Sequence, residues 1–363
     1  MLAKLTQLKS WYEENERKVS SFSLMFGFVF DSLTLQRIDS LWDNLWLVAN
    51  LVSIGACIIF INRAENTGDS RESWKYFWLM NILQFSFGAL LGASFIFYFR
   101  SATLIVSWPF LLLLLAALVG NEVFKKHYER LIFQLAFLYL SLFVFMIFLL
   151  PLLVHRIGAI IFLSSGILSL VVLWFFIIVL NRVARERFKQ SWQRIWLSVA
   201  SIFILFNILY FTNLIPPIPL SLKDAGIYHN VEKLPQGGYR VLEEEESGLA
   251  KYLSLRQKIH LVPGNTVFAY SAIFSPADLN TDIVHEWQYY DEGDGEWKTK
   301  TRVPLRLSGG RSEGFRTFSA KSDLTPGLWR VNVATPDGLI IGRISFEIIP
   351  SDNMPIIKAS VKS

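Results

Sequence analysis

The sequence predicts an α-helical membrane bundle of six to seven transmembrane helices, followed by an all-β domain. Hydrophobic residues make up 52% of the 363 positions and charged residues only 18%, whereas soluble domains carry about 25% charged residues. Long apolar runs fill the chain as far as Phe211, and short alternating runs follow. Pro216, Pro217 and Pro219 separate the two regions, because a helix cannot continue through several prolines.

Six apolar runs approach or exceed the roughly 20 helical residues that a bilayer core requires. They cover about residues 41–61, 76–98, 102–120, 131–153, 157–180 and 192–211. A further run at 20–35 is short and contains Asp31. It is typical of a surface or re-entrant helix, but it could also be a seventh crossing. We assign residues 1–212 to the transmembrane domain and leave open whether 20–35 crosses the membrane.

Loop charges predict the orientation, since Lys and Arg in short loops concentrate on the cytoplasmic side. With seven crossings, 15 basic residues lie on one side and three on the other, whereas with six the division is 11 to seven. Both counts place the basic loop 182–194 in the cytoplasm and the C-terminal domain outside it. We therefore expect a multi-pass protein of a bacterial inner or cell membrane, and we favour the seven-crossing arrangement, with the N-terminus in the cytoplasm and the C-terminal domain outside it.

Polar side chains inside apolar runs are the usual marks of a transport path, because an unpaired polar group is costly in hydrocarbon. We take Asp31, Asn81 and Gln84 as the membrane candidates. The other polar residues in or near the runs include Asp43, Asn50, Gln134 and Asn207. Asp31 has a plainer interpretation, as a carboxylate at a helix end near the membrane surface.

The region after the prolines is predicted to be an extracytoplasmic immunoglobulin-like sandwich over 225–350. Short strand-like runs separated by turn residues are typical of that fold. We expect strands near 239–244, 258–262, 266–274, 282–290, 297–307, 315–320, 328–335 and 339–348. A Pro-rich linker at 213–224 is expected to form a stiff, extended spacer, and 351–363 is expected to be a flexible tail.

Part of this region carries a family resemblance. The ordered elements are His285-Glu286-Trp287, Arg316 to Lys321, Gly327 to Val331, Asp337-Gly338, Gly342 and Phe346. With these elements, residues of about 283–348 resemble the bacterial domain of unknown function 2914 family, departing from it mainly in the loop 309–314. The resemblance implies a small β domain that is often attached to membrane segments, and it implies no activity.

Our candidate ligand-binding residues are His285, Trp287, Tyr289, Arg316 and Lys321. The first three share one face of a strand, because side chains alternate with a period of two. If that face points outward, it could bind a sugar or an envelope polymer, since aromatic rings form apolar platforms and Arg contacts anions. If it points inward, Trp287 is a core tryptophan and His285 a hydrogen-bonded core or edge residue. We favour the inward orientation.

No catalytic residue, cofactor or metal site is predicted. Signatures of phosphate loops, dinucleotide binding, zinc proteases and serine hydrolases do not occur in the sequence. The histidines are scattered, and none has a second His or Cys at ligand spacing. Cys57 is the only cysteine, so no disulfide forms within the chain. Nucleic-acid binding is not expected, because the region after Phe211 carries 17 basic and 18 acidic residues.

These patterns lead to one functional hypothesis and an alternative. The protein is expected to sit among membrane lipids and to present the β domain for binding an envelope protein or glycan, without catalysis. The alternative is a membrane transporter, or an enzyme that handles lipids or envelope precursors, with the β domain as an accessory. The ligand and the oligomeric state stay open.

Overall fold

The computed structural model describes most of the chain and divides it into a helical unit and a unit built mainly of strands. The described residues are 15, 28–29, 32–33, 35, 40–67, 74–101, 104–124, 127–128, 130–245, 256–275, 282–306 and 315–362. Asp31 and most of the run 20–35 lie outside these residues. The seventh crossing therefore stays a prediction.

Among the described residues, six helices are long and apolar enough to cross a membrane. They are α1 (Leu41–Thr67), α2 (Trp74–Ser101), α3 (Leu104–Val123), α4 (Leu131–Val154), α5 (Ala159–Asn181) and α6 (Arg185–Phe211). All six predicted runs are confirmed as helices. The last helix begins earlier than its apolar run, because the charged residues before Trp192 also adopt helical geometry and include a Glu186–Lys189 ion pair of 3.6 Å.

Aromatic side chains pack the interior of the helical unit. Phe143 on α4 stacks against Phe203 and Phe206 on α6, with ring centroids 5.9 and 5.0 Å apart. Gly166 on α5 lies against the same group, and a Cβ atom there would be only 2.8 Å from the Phe203 ring. The missing side chain thus lets α5 approach its neighbours closely.

Eleven strands occur in the described part of the second unit. They are β1 (Ser221–Tyr228), β2 (Asn230–Lys233), β3 (Tyr239–Glu244), β4 (Gln257–Leu261), β5 (Val267–Phe274), β6 (Asp282–Asp291), β7 (Glu296–Arg306), β8 (Phe315–Lys321), β9 (Gly327–Ala334), β10 (Ile340–Pro350) and β11 (Ile357–Lys362). The eight predicted strands are confirmed as β3 to β10, each within two residues of its expected bounds. β1, β2 and β11 were not among the predicted strands.

The strands form three sheets, with orders β1-β5-β8, β4-β10-β9-β6-β7 and β11-β3-β2. All pairings are antiparallel except that of β4 with β10. The β1-β5-β8 sheet packs against the five-stranded sheet around one apolar cluster and against the β11-β3-β2 sheet around another. On β5, Ala269 and Ile273 belong to the first cluster, whereas Tyr270 and Ala272 belong to the second. This strand is therefore buried on both faces.

The segments expected to be a linker and a tail contain ordered structure. Residues 215–220 are buried and turn sharply, with Ile218 N–H donating to the Pro216 carbonyl and Leu220 N–H to that of Pro217. Burial of these apolar side chains replaces the expected extended spacer with a compact turn. β1 then begins at Ser221, and β11 adds an edge strand to β3 within the segment 351–363.

Candidate functional site

The candidate residues on β6 lie in the core. His285 and Trp287 are both 0% exposed, so the inward orientation is confirmed. The Trp287 ring packs edge-on against Phe346, with centroids 6.1 Å apart. A ligand could contact either side chain only if the two facing sheets separated.

His285 joins the two facing sheets through hydroxyl groups. Its Nε2 is 2.8 Å from Oγ of Ser271, and its Nδ1 is 2.9 Å from Oγ of Ser319. Trp287 donates its Nε1–H to the same Ser319 oxygen over 3.0 Å. Burial lowers the pKa of His285 to about 4, so the imidazole is neutral at pH 7. Because none of these side chains is more than 3% exposed, the cluster satisfies buried polar groups and offers no nucleophile to a substrate.

Two other candidates, Tyr289 and Lys321, both lie against Trp329, outside this cluster. The fifth candidate, Arg316, lies apart from them. The Tyr289 ring packs against Trp329 with centroids 5.1 Å apart, and Nζ of Lys321 lies 5.9 Å from the Trp329 ring. Arg316 lies on the opposite face of β8 from Lys321, because five positions separate them and strand side chains alternate. The structure therefore does not assemble the five residues into one site.

The other face of the five-stranded sheet carries a polar surface. The register aligns Arg343, Asn332, Glu286 and Arg302 in one row across β10, β9, β6 and β7, and Ser345, Arg330, Gln288 and Thr299 in the next. Trp297 lies further along β7, opposite Tyr290. We call this surface the arginine face, and its members are Glu286, Gln288, Trp297, Thr299, Arg302, Arg330, Asn332, Arg343 and Ser345.

A carboxylate organises the centre of the arginine face. Oε1 of Glu286 accepts hydrogen bonds from Nε and Nη2 of Arg302, at 3.0 and 2.8 Å, and from the Thr299 hydroxyl at 3.0 Å. Its Oε2 accepts a bond from Nδ2 of Asn332 at 3.2 Å. Partial burial raises the pKa of Glu286, but the hydrogen bonds from Arg302, Asn332 and Thr299 outweigh it and hold the pKa below its usual range. The carboxylate is therefore ionised at neutral pH.

Two further arginines lie over the neighbouring amides. Arg330 donates its Nε–H to Oε1 of Gln288, and Arg343 donates its Nε–H to Oδ1 of Asn332, each over 2.7 Å. The guanidinium carbon of Arg330 lies 4.2 Å from the centroid of the Trp297 ring. This cation–π contact and the Nε bond fix the orientation of the Arg330 guanidinium.

Partial burial affects the charge state of both of these arginines. Burial, together with the nearby charge of Arg343 and against the opposing effect of Glu286, lowers the pKa of Arg330 to about 10. Burial also lowers the pKa of Arg343. Both groups remain charged at neutral pH. Within the described ranges, the hydrogen-bond partners of these two arginines are reached through Nε, so the Nη atoms remain to bind an anion.

β6 therefore carries its outward-facing residues, Glu286 and Gln288, at the positions between the candidates His285, Trp287 and Tyr289. Period-two reasoning selected His285, Trp287 and Tyr289 and passed over Glu286 and Gln288. Two features of the sequence could have indicated the arginine face. One is the alternation of polar and apolar residues along β6, and the other is the presence of Arg on the predicted outward positions of neighbouring strands. The register between β6 and β7 could not be derived from the sequence. It shifts by one residue between Trp287 and Gln288, so that Lys300 has no partner on β6 in the register.

A second polar cluster surrounds Glu244 at the end of β3. Its Oε1 lies 2.8 Å from Nε2 of His229 and accepts the backbone N–H of His260 at 2.6 Å, and its Oε2 lies 2.7 Å from Nδ1 of His260. Desolvation raises the pKa of Glu244, but the hydrogen bonds from both histidines outweigh it and hold the pKa low. Among the described residues, no group of three or more His, Cys, Asp or Glu side chains has an arrangement suited to a metal ion.

The helical unit contains a polar network at one end of the helices. Nδ2 of Asn62 on α1 donates to Oε1 of Gln134 on α4 over 2.7 Å, and Nη1 of Arg187 on α6 donates to Oδ1 of Asn62 over 2.8 Å. Arg187 also pairs with Glu65, which accepts the Tyr76 hydroxyl at 2.9 Å. Asn62 and Gln134 are both 0% exposed.

Hydrogen bonds extend this network to α2 and α3. Nε2 of Gln134 donates to the Tyr128 carbonyl over 2.5 Å, and the Tyr128 hydroxyl donates to Asn121. Asn121 in turn donates to the Gln84 carbonyl over 3.1 Å, and Gln84 donates to Glu122 over 2.9 Å. The predicted candidate Gln84 therefore belongs to the network.

The other described membrane candidate makes a hydrogen bond within its own helix. Asn81 donates to the Phe77 carbonyl of its own helix over 2.7 Å. The charged members of the network are Glu65, Glu122 and Arg187, which lie near helix ends. Sequence analysis missed them because they fall just outside the apolar runs, where charged residues are expected to flank the loops.

Comparisons with known proteins support part of the sequence-based expectation. The model of the family described as "Protein of unknown function (DUF2914)" matches residues 280–348, so the resemblance of the C-terminal region is confirmed. This segment covers β6 to β9 and most of β10, including the central strands of the arginine face. A search of curated proteins finds no match.

Two solved structures show weak overall similarity. A β-glucosidase from Listeria innocua in complex with isofagomine is 13% identical, with a TM-score of 0.20, over 35% of this chain and 18% of that one. The Pseudomonas fluorescens alkylpurine DNA glycosylase AlkC, bound to DNA containing an abasic site analogue, is 10% identical, with a TM-score of 0.22, over 86% of this chain and 99% of that one. At these TM-scores neither similarity says anything about fold or function here.

Proposed function

We propose that the chain is a membrane protein whose helices anchor an extracytoplasmic β domain that binds an envelope glycan or protein through the arginine face. Six helices of sufficient length and apolarity support the membrane location. The bias of basic residues towards one set of loops supports the outer location of the domain.

The strand order supports an immunoglobulin-like description of the domain. The order β10-β9-β6-β7 faces β1-β5-β8, which corresponds to strands G, F, C and C′ facing A, B and E in that fold. Trp287 then occupies the place of the buried tryptophan on strand C. The β11-β3-β2 sheet is an addition to that arrangement.

The observation that carries the binding proposal is the ordered polar network on the solvent side of the sheet. Asn332 and Gln288 are only 3% and 9% exposed, because charged side chains lie over them and hold them by hydrogen bonds. Side chains fixed in this way lose little conformational entropy when they bind a ligand. A surface that served only solubility would not require such an arrangement.

Crosslinking of the full-length protein in its native membrane tests this proposal. Photoreactive groups placed at positions 304 and 345, which share the face of Arg302 and Arg330, should capture a glycan or protein, and Trp297→Ala or Arg302→Ala should reduce the yield. Arg240→Ala on β3, where the arginine side chain is 53% exposed, is the matched control. Equal yields from all variants, or capture of lipid alone, would contradict binding at this face.

The helical network favours a second candidate function, in which the bundle transports a solute or handles a lipid or envelope precursor. Charged residues in a bundle are costly and often mark a functional path, and Glu65 and Arg187 contact each other there. In this case Glu65→Gln and Arg187→Gln should reproduce the phenotype of a gene deletion, whereas Arg302→Ala should not. The opposite pattern would support the binding function instead.

A further inference from the structure

We infer that Arg330 and Arg343 bind the carboxylate groups of an acidic polysaccharide. This inference rests on the proposed function, and it specifies the chemistry of the ligand at the arginine face. Three features support it: the excess of positive charge, the guanidinium nitrogens that remain for a ligand, and the width of the face.

The charges of the two central rows do not balance. Arg302, Arg330 and Arg343 face one carboxylate, Glu286, and that carboxylate makes its ion pair with Arg302. Glu347 lies further along β10, where Lys258 of β4 is its register partner. Arg330 and Arg343 therefore retain a net positive charge, and each is partly buried. An anionic group placed between them would relieve their mutual repulsion.

The available donors match a carboxylate. Both arginines use Nε to bind the protein, and the two Nη atoms of each guanidinium form a planar fork. Such forks bind the two coplanar oxygens of a carboxylate through parallel hydrogen bonds. The stacking of Arg330 on Trp297 at 4.2 Å holds one fork in place before the ligand arrives.

The width of the face favours a polymer over a small anion. The arginines lie on β10, β9 and β7, and three strand spacings of the four-stranded row cover about 14 Å. One carboxylate reaches only a small part of that distance. A chain with repeated acidic groups could contact Arg343, Arg330 and the 70% exposed Arg302 together, and the adjacent Tyr290 and Trp297 rings, 5.2 Å apart, provide apolar surface for sugar rings.

The test uses the full-length protein in nanodiscs of phosphatidylcholine, which carries no net charge, and measures binding by biolayer interferometry. The probes are polygalacturonate, its fully methyl-esterified form, polyphosphate and poly-glutamate. We expect polygalacturonate to bind best, the esterified polymer to bind at least about tenfold more weakly, and added salt to weaken the interaction. Arg330→Gln and Arg343→Gln should each weaken binding by about tenfold, because each removes a charged hydrogen-bonding group.

Matched variants keep the outcome interpretable. Arg330→Lys retains the charge and loses the fork, so it should also bind polygalacturonate more weakly, whereas Arg240→Gln on β3 should bind like the unaltered protein. Equal binding of the esterified polymer would overturn the carboxylate inference and leave the proposed function standing. Equal or stronger binding of poly-glutamate or polyphosphate, or unchanged binding by both Gln variants, would overturn it as well. Absence of binding to all four probes would overturn it too, and the crosslinking yield at the arginine face would separately decide the proposed function.

Discussion

The buried imidazole of His285 should make the β domain less stable as the pH falls from 6.5 to 4. In the unfolded chain a histidine takes up a proton near pH 6.5, whereas in the folded domain burial lowers the pKa of His285 to about 4. Between these values the unfolded state binds more protons, so acidification favours unfolding. Stability is retained above pH 6.5, falls on acidification towards pH 4, and changes little below that from this group.

The magnitude follows from the shift. One pKa unit corresponds to about 1.4 kcal/mol, so a shift from 6.5 to about 4 gives a loss of about 3 kcal/mol across the interval. His285→Asn removes the titrating group. The substitution lowers stability at every pH because it disturbs the contacts with Ser271 and Ser319, but it should remove this part of the pH dependence.

Hydrogen exchange of the full-length protein in detergent provides the assay. Exchange in peptides covering β6, corrected for the intrinsic rate at each pH, gives the free energy of opening. The difference between the unaltered protein and His285→Asn should shrink by about 3 kcal/mol from pH 7 to pH 4. The control is His155→Asn, since His155 is exposed and has a φ of 56° that Asn tolerates. Parallel pH profiles for the unaltered protein and His285→Asn would refute the reasoning.

Three further substitutions test the packing. Gly342→Ala should destabilise the β domain by about 1–3 kcal/mol, because its Cβ would lie 2.1 Å from Cδ2 of Leu222; the loss measured by hydrogen exchange should be smaller in a Leu222→Ala background. Ser319→Ala should cost about 1–3 kcal/mol in the same assay, because a buried indole N–H loses its acceptor. Gln134→Leu should lower the stability of the helical unit by about 1 kcal/mol in thermal unfolding in detergent, since it removes the 2.7 Å bond from Asn62; an unchanged midpoint would show that the helices repack without it.

The sequence predicted the elements well where one local pattern determined them. The apolar runs became α1 to α6, and alternation in Trp329, Val331 and Val333 correctly located β9 and its buried face. The strands that were missed lack that pattern. β1 contains Lys223, Asp224 and Gly226 between its apolar residues, and β11 has only partly buried or exposed residues and is held by pairing with β3.

The polar sites were harder to predict, because partners distant in the sequence define them. The hydrogen bond between Asn62 and Gln134 joins residues 72 positions apart, and that between Arg330 and Gln288 joins residues 42 apart. Residue type gives no sign of such pairs. The conformation of the Pro-rich segment was hard to predict for a related reason. Prolines allow both an extended chain and a sharp turn, and the turn is the conformation that buries Ile215, Ile218 and Leu220.

The His285-Glu286-Trp287 segment therefore has two separate roles, according to which face each residue occupies. His285 and Trp287 face the core and hold Ser319 of the opposite sheet, whereas Glu286 faces outward and organises the arginine face. Substituting the whole segment would remove fold stability and ligand contacts together, so loss of binding would be uninformative. Arg343 separates the two roles, because its Nε contact is with Asn332 on the outer side and leaves the inner cluster intact.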